Sequence, residues 1–158
     1  IVFNEINPFI FELIKKLYTN DKHSLISEIE DVISNYQLAK GDKNSYINLR
    51  NHYNNVDNNI IYLYVLHMYS FQNMIRFNNN HKFNTPIGVA GYSDDIKHRI
   101  LNFKSRVENV DFLNDSFTKI RYEDFPNNSL FYFDPPYFIT SASYNDGKRG
   151  FAGWNSDN

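Results

Sequence analysis

Apolar residues recur at helical spacing over the first hundred positions and fall into short runs at both ends of the chain. Phe9, Ile10, Leu13, Ile14 and Leu17 lie on one face of a helix that ends near Tyr18. Its start is marked by Asn7-Pro8, since asparagine caps the first free N–H groups and proline suits the first turn. Leu25, Ile26, Ile29, Val32 and Ile33 predict a second helix over residues 22–38, stopped by Gly41. A shorter helix is expected over 44–53, followed by a polar loop over 54–59. Residues 60–71 are apolar almost throughout and predict a buried helix. Residues 77–91 hold Asn, Thr-Pro and two Gly, which reads as a structured loop or short hairpin. Ser93-Asp94-Asp95 then starts a helix with acids in its first turn, running to about residue 107. The runs 1–3, 110–113 and 130–133 read as strands. The order strand, helix, helical stretch, strand, strand predicts an α/β sheet carrying an inserted helical region.

Composition bounds this picture. The chain has 158 residues, 42% of them hydrophobic, enough for one ordinary domain with a real core. There is no cysteine, which excludes a disulfide framework, a thiolate zinc site and a cysteine nucleophile. The histidines do not group with carboxylates at ligand spacing, so no metal site is expected. His67, on the apolar helix, is expected to be a core histidine with its hydrogen bonds satisfied. No apolar run approaches the roughly 18 residues of a membrane helix, and no signal peptide is visible, so a cytoplasmic location is the default. The Asn-rich loops, with many Lys, Ile, Tyr and Phe, suggest an AT-rich bacterial or phage genome. Charge is uneven: residues 1–34 carry −3, residues 35–110 carry +4 and residues 111–158 carry −3, giving the net −2. A basic middle suits a segment that faces phosphates. The chain starts without Met at Ile1-Val2 and ends in Asn155-Ser156-Asp157-Asn158, which reads as a piece of a longer protein.

The chemistry is concentrated at Asp134-Pro135-Pro136-Tyr137, directly after the apolar run Leu130-Phe131-Tyr132-Phe133. Pro135 and Pro136 cannot continue a ladder, so the chain must turn at Asp134. This leaves a carboxylate at the carboxyl end of the expected strand, where open α/β sheets place their ligands. An acid, a stiff turn with free carbonyls and a flat ring suit the holding of an amino group on a heterocycle. Glu5 follows the first strand, in position to accept from the ribose hydroxyls of a nucleotide-like cofactor. It equally suits a first-turn acid facing the helix dipole. Asp115, in Asn114-Asp115-Ser116-Phe117, suits an adenine amino group with Phe117 on the ring, or else a helix cap. Arg76-Phe77-Asn78 and Phe83-Asn84-Thr85-Pro86-Ile87-Gly88 form a third group. Arginine reads guanine, asparagine reads adenine, and rings and prolines wedge into a stack. The alternative there is an Asn-rich turn packed on the core.

Together these blocks resemble the Dam-like adenine-N6 DNA methyltransferases, whose recognition domain lies between the cofactor motif and Asp-Pro-Pro-Tyr. Val2-Phe3-Asn4-Glu5-Ile6-Asn7 resembles the second-strand motif, in which the acid binds the ribose of S-adenosylmethionine. Residues 70–88 resemble the DNA-recognition hairpin, which makes Arg76, Asn78, Asn84 and Pro86 the implied DNA contacts. Asp115-Ser116-Phe117 resembles the segment against the cofactor adenine. Asp134 to Tyr137, with Thr140-Ser141-Ala142-Ser143-Tyr144-Asn145 after it, is similar to the catalytic loop, and Asp134 also borders the cofactor. Two parts of the family pattern are absent: the Gly-rich loop Phe-x-Gly-x-Gly, expected before Ile1, and the strands expected after the catalytic loop. Residues 147–154 would form a lip near the target base.

The resemblance implies a partial Rossmann-like methyltransferase sheet from residues 1–34 and 108–158, with a mostly helical DNA-recognition region over 35–107. It implies transfer of a methyl group from S-adenosylmethionine to N6 of an adenine flipped out of double-stranded DNA. Asp134 and the Pro135 carbonyl would hold the amino N–H bonds while Tyr137 stacks on the ring. The setting would be a restriction-modification system or a phage, with a cognate restriction endonuclease as the expected partner. Two rivals stand beside it. One is a cytosine amine or an RNA adenine as acceptor; the other is a catalytically silent DNA-binding fragment or partner subunit.

Overall fold

Val2–Asn4 (β1) and Asp111–Leu113 (β2) pair in parallel, with Val2 opposite Asp111, Phe3 opposite Phe112 and Asn4 opposite Leu113. Parallel neighbours need a long crossover, and the described residues of this one contain five α-helices. The computed structural model describes residues 1–103 and 109–133. Asp134, Pro135, Pro136 and Tyr137 and the positions after them lie outside the described residues, whereas the last helix, expected to run to about residue 107, ends at Leu101 with Asn102 as its cap.

The helices are Pro8–Thr19 (α1), Lys22–Asn35 (α2), Lys43–Asn55 (α3), Ile60–Tyr69 (α4) and Asp94–Leu101 (α5). Each starts on a side-chain cap: Asn7, Asp21, Asp42, Asn59 and Ser93 accept from N–H groups of the first turn. Such a cap stabilises a helix by about 1 kcal/mol. Helix α4 is apolar on all sides, the mark of a buried helix. Leu63, Val65 and Leu66 are fully buried in it, and it packs on α1, α2 and α3 while α2 also meets α5. The core therefore sits in the helical layer and draws on α2 as well as on the residues after it. Helix α1 joins this layer to the sheet. Its Phe11 and Tyr18 meet Phe112 of β2 edge-on, and its Phe9 lies 4.7 Å from Phe77.

Two further expectations need correction. Helix α2 ends at Asn35 rather than at residue 38, and Gly41 is not its terminator. Gln37 takes the left-handed region (φ 51°), and Gln37 N–H and Leu38 N–H donate to the Ser34 and Ile33 carbonyls. That is a Schellman stop, and the burial of Leu38 holds it in place. Residues 130–133, expected as a buried strand, form none. Leu130 is 94% and Tyr132 87% exposed, and neither belongs to the two-stranded sheet. A strand exists only where a neighbour supplies ladder bonds, and among the described residues this run has no such neighbour. Among the described residues, no helix is long and apolar enough to cross a membrane.

Candidate functional site

The parallel ladder ends where Glu5 N–H donates to the Leu113 carbonyl, 3.2 Å away. Beyond it the chains diverge, Glu5 into α1 and Asn114 into a 3-10 turn at Phe117–Lys119. Two asparagines tie the diverging ends together. Asn4 Nδ2 donates to the Asp115 carbonyl at 3.0 Å, and Asp115 N–H donates back to Asn4 Oδ1 at 3.2 Å. Asn114 Nδ2 donates to the Glu5 carbonyl at 2.6 Å and to that of Ile6 at 3.3 Å. Two carboxylates are thereby brought to the carboxyl ends of adjacent parallel strands, where α/β sheets bind ligands. Glu5 Oε1 accepts from Asn7 N–H at 2.8 Å. Asp115 Oδ1 accepts from Ser116 N–H and pairs with Lys119 Nζ, each at 2.8 Å. The Lys119 hydrogen bond, then that of Ser116, holds the Asp115 carboxyl below its ordinary range. Asp115 therefore stays ionised to lower pH than a free aspartate.

A cleft of about 480 Å³ opens beside these strand ends, lined by Asn114, Asp115, Lys119, Arg121 and Phe125 among others. Tyr122 forms one of its supports. Its hydroxyl donates to the Phe117 carbonyl at 2.8 Å, and its ring meets Phe131 at 5.3 Å and Phe133 at 5.9 Å. Phe125 also packs on Phe131. The end of the run before Asp134 is thus held by ring contacts to Tyr122 and Phe125, and the Tyr122 hydroxyl ties it to the Phe117 carbonyl.

A second locus is the irregular hairpin between α4 and α5. Ser70 bridges Ile87 and Phe77 bridges Phe83, both antiparallel. Phe77 and Phe83 point into the core and are buried. Helix α3 supports the hairpin: Asn54 Oδ1 accepts from Phe83 N–H at 2.8 Å, Asn54 Nδ2 donates to the Phe83 carbonyl at 2.9 Å, and Tyr46 OH donates to the Thr85 carbonyl at 2.9 Å. Gly88 sits so close to Ser70 that a Cβ would stand 2.6 Å from its carbonyl oxygen. At the surface, Arg76 Nε donates to Asn84 Oδ1 at 2.9 Å and Nη2 to the Asn84 carbonyl at 3.3 Å. The opposite edge of the guanidinium, with Nη1, takes no part in this pairing. Asn78 Oδ1 accepts from the Asn80 and Lys82 amides and closes the tip, where Lys82 Nζ also meets Asn55 Oδ1. At the base, His67 corrects the expectation of a fully satisfied core histidine. Its Nδ1 is buried with no hydrogen-bond partner among the described residues. Burial depresses its pKa, against a hydrogen bond to the Asn73 backbone that raises it.

The model of the D12 class N6 adenine-specific DNA methyltransferases matches residues 1–155. The chain belongs to this family. It is 41% identical over 157 residues to the modification methylase LlaI of Lactococcus lactis subsp. lactis, covering 99% of this chain and 25% of that protein. It is 35% identical over 159 residues to the modification methylase StsI of Streptococcus sanguinis and to the type II methyltransferase M.FokI of Planomicrobium okeanokoites. Each of these matches covers 98% of this chain and 24% of the relative. The chain thus spans about a quarter of the length of the relatives it matches.

Of the residues singled out from the sequence, the structure gathers Glu5, Asp115, Ser116 and Phe117 at one pair of strand ends. It gathers Arg76, Asn78, Asn84 and Pro86 on one hairpin, where Pro86 is exposed and its carbonyl accepts from Phe71 N–H at 2.8 Å. Sequence reasoning missed Asn4 and Asn114, which join the strand ends, and Asn54, which seats the hairpin. One signal was available for Asn4. Asparagine is disfavoured in strands, so its place at the last strand position called for a reason.

Proposed function

We propose that, within the intact protein, this D12-family chain carries the cofactor edge and the DNA-reading hairpin of a site-specific DNA adenine-N6 methyltransferase. The observation that supports it best is the meeting of Glu5 and Asp115 at the carboxyl ends of two adjacent parallel strands. The two strands are then part of a Rossmann-like sheet. The catalytic part comprises residues 1–34 and 108–158, and residues 35–107 form the inserted recognition region.

S-adenosylmethionine fits the donor set. Glu5 is half-buried and, among the described residues, is bonded through Oε1 alone, which leaves Oε2 for ribose hydroxyls. Among the described residues Asp115 is bonded through Oδ1, and the Phe117 ring beside it is exposed. When bound, the cofactor supplies an electrophilic methyl group on a sulfonium. The chain's own residues do the rest by positioning and electrostatics. Asp134 and the Pro135 carbonyl accept from the adenine N6–H bonds and return the lone pair to nitrogen, and two successive prolines narrow the backbone freedom beside both acceptors. Tyr137 stacks on the flipped base, an interaction worth about 1–3 kcal/mol. Arg76, Asn78, Asn84 and Pro86 contact the DNA around it. The setting is cytoplasmic, in a restriction-modification system or a phage, with double-stranded DNA as substrate and a restriction endonuclease of the same specificity as partner.

The test is transfer of labelled methyl from S-adenosylmethionine to unmethylated duplex DNA by the intact protein, followed by nucleoside analysis. Label in N6-methyladenine is expected. Label in a cytosine derivative, or in RNA only, would overturn the assignment of the acceptor.

A further inference from the structure

Parallel strands that bind a ligand at their carboxyl ends face a geometric difficulty. The ladder stops just where the two chains separate, yet the groups that grip the ligand sit on the first residues after it. Glu5 and Asp115 are such residues, and the last ladder bond is that from Glu5 N–H. What continues the pairing is side-chain amide. Asn4 offers Asp115 both a donor and an acceptor, as a further peptide unit would, through bonds of 3.0 and 3.2 Å. Asn114 reaches back across the gap to the carbonyls of Glu5 and Ile6. Each asparagine thus comes from the strand that carries one acid and holds the backbone of the other.

We infer that Asn4 and Asn114 are positioning residues that lock the spacing of Glu5 and Asp115, and so set how tightly the cofactor is held. The inference rests on the cofactor role proposed above for those two acids. Neither asparagine needs to touch the ligand. Only asparagine suits the first place: aspartate keeps the acceptor for Asp115 N–H but sets a carboxylate against the Asp115 carbonyl. The local contacts of the acids do not replace the clamp, because Asn7 N–H, Ser116 N–H and Lys119 bind each carboxylate to its own loop and not to the other strand.

The test uses the intact protein with the substitutions Asn4→Ala, Asn4→Asp and Asn114→Ala, the last on an exposed side chain outside the core. The KM and Kd for S-adenosylmethionine, kcat at saturating cofactor and affinity for unmethylated duplex DNA are measured side by side. We expect KM and Kd for the cofactor to rise about tenfold, the equivalent of one ordinary hydrogen bond. Affinity for DNA should stay within twofold and kcat should be largely kept. Asn4→Asp should raise KM and Kd at least as far as Asn4→Ala, because its carboxylate also repels the Asp115 carbonyl. If Asn4→Ala fails to fold, Asn114→Ala decides. Variants that melt earlier but bind cofactor as wild type does would overturn the clamp and leave a purely structural role. A wild-type protein that takes up no S-adenosylmethionine would instead overturn the cofactor reading itself, and the clamp with it.

Discussion

At the scale of single residues, the DNA contact proposed for Arg76 and its hold on the hairpin use different edges of one guanidinium. Arg76 is exposed, and one edge of its guanidinium is bonded to Asn84. The remaining edge matches the two acceptors of a guanine in the major groove. Arg76→Ala should therefore relax sequence preference by about 1–3 kcal/mol at one base pair, measured as the ratio of methylation on matched and mismatched duplexes. A uniform loss on every duplex would make Arg76 a phosphate contact. Asn84→Ala should give a weaker change in the same direction. His67 offers a second prediction. Its depressed pKa means that the folded protein resists protonation below the ordinary value of 6.5, where the unfolded chain takes up the proton. Stability at the hairpin base is then fully present above pH 6.5 and declines as pH falls below it. Corrected for the slower intrinsic exchange in acid, the hydrogen-exchange rate around Asn73 should show an excess at pH 5.5 over pH 7. His67→Phe should remove that excess, and an identical excess in both proteins would refute it.

At the scale of elements, the hairpin stands on α3 and α4 rather than on its own ladder, which consists of two isolated bridges. Asn54 of α3 meets both the N–H and the carbonyl of Phe83. Asn54→Ala should leave those groups poorly satisfied, at a cost of about 1–3 kcal/mol. Faster exchange of the Phe83 amide, with that of α2 unchanged, would show the effect to be local. Gly88→Ala should be similarly costly, because its Cβ would meet the Ser70 backbone at 2.6 Å and a packed interior yields little. The helices themselves were legible in the sequence. Asn7-Pro8 and Ser93-Asp94-Asp95 carry start signals that act within one turn, and α1 and α5 begin there. The stop of α2 was not legible, because Gln37 takes a left-handed conformation only when Leu38 has a core to enter.

At the scale of the whole molecule, α1 links the two loci. Its Phe11 and Tyr18 lie on β2, and its Phe9 lies against Phe77 of the hairpin. The edge proposed for cofactor and the hairpin proposed for DNA are thus packed on the same helix. Methyl transfer and DNA binding remain separable in the proposed mechanism, because Asp134 belongs to the catalytic loop and not to the hairpin. Asp134→Ala in the intact protein should abolish transfer to below one part in a thousand, about 4 kcal/mol of lost transition-state stabilisation, while a gel-shift assay shows DNA affinity unchanged. Substantial turnover in that variant would remove Asp134 from the mechanism.

By itself the sequence determined the helix starts, the buried character of α4, the two paired strands and membership of the D12 methyltransferase family. These features rest on local interactions or on patterns of apolar residues, which every part of the chain carries with it. Only the tertiary structure decided that residues 130–133 stand outside the described sheet, that Arg76 leans on Asn84, and that Asn4 and Asn114 join strand ends more than a hundred positions apart in the chain. Each of these depends on which distant backbone group lies within about 3 Å of a polar atom, and no spacing along the chain encodes that distance.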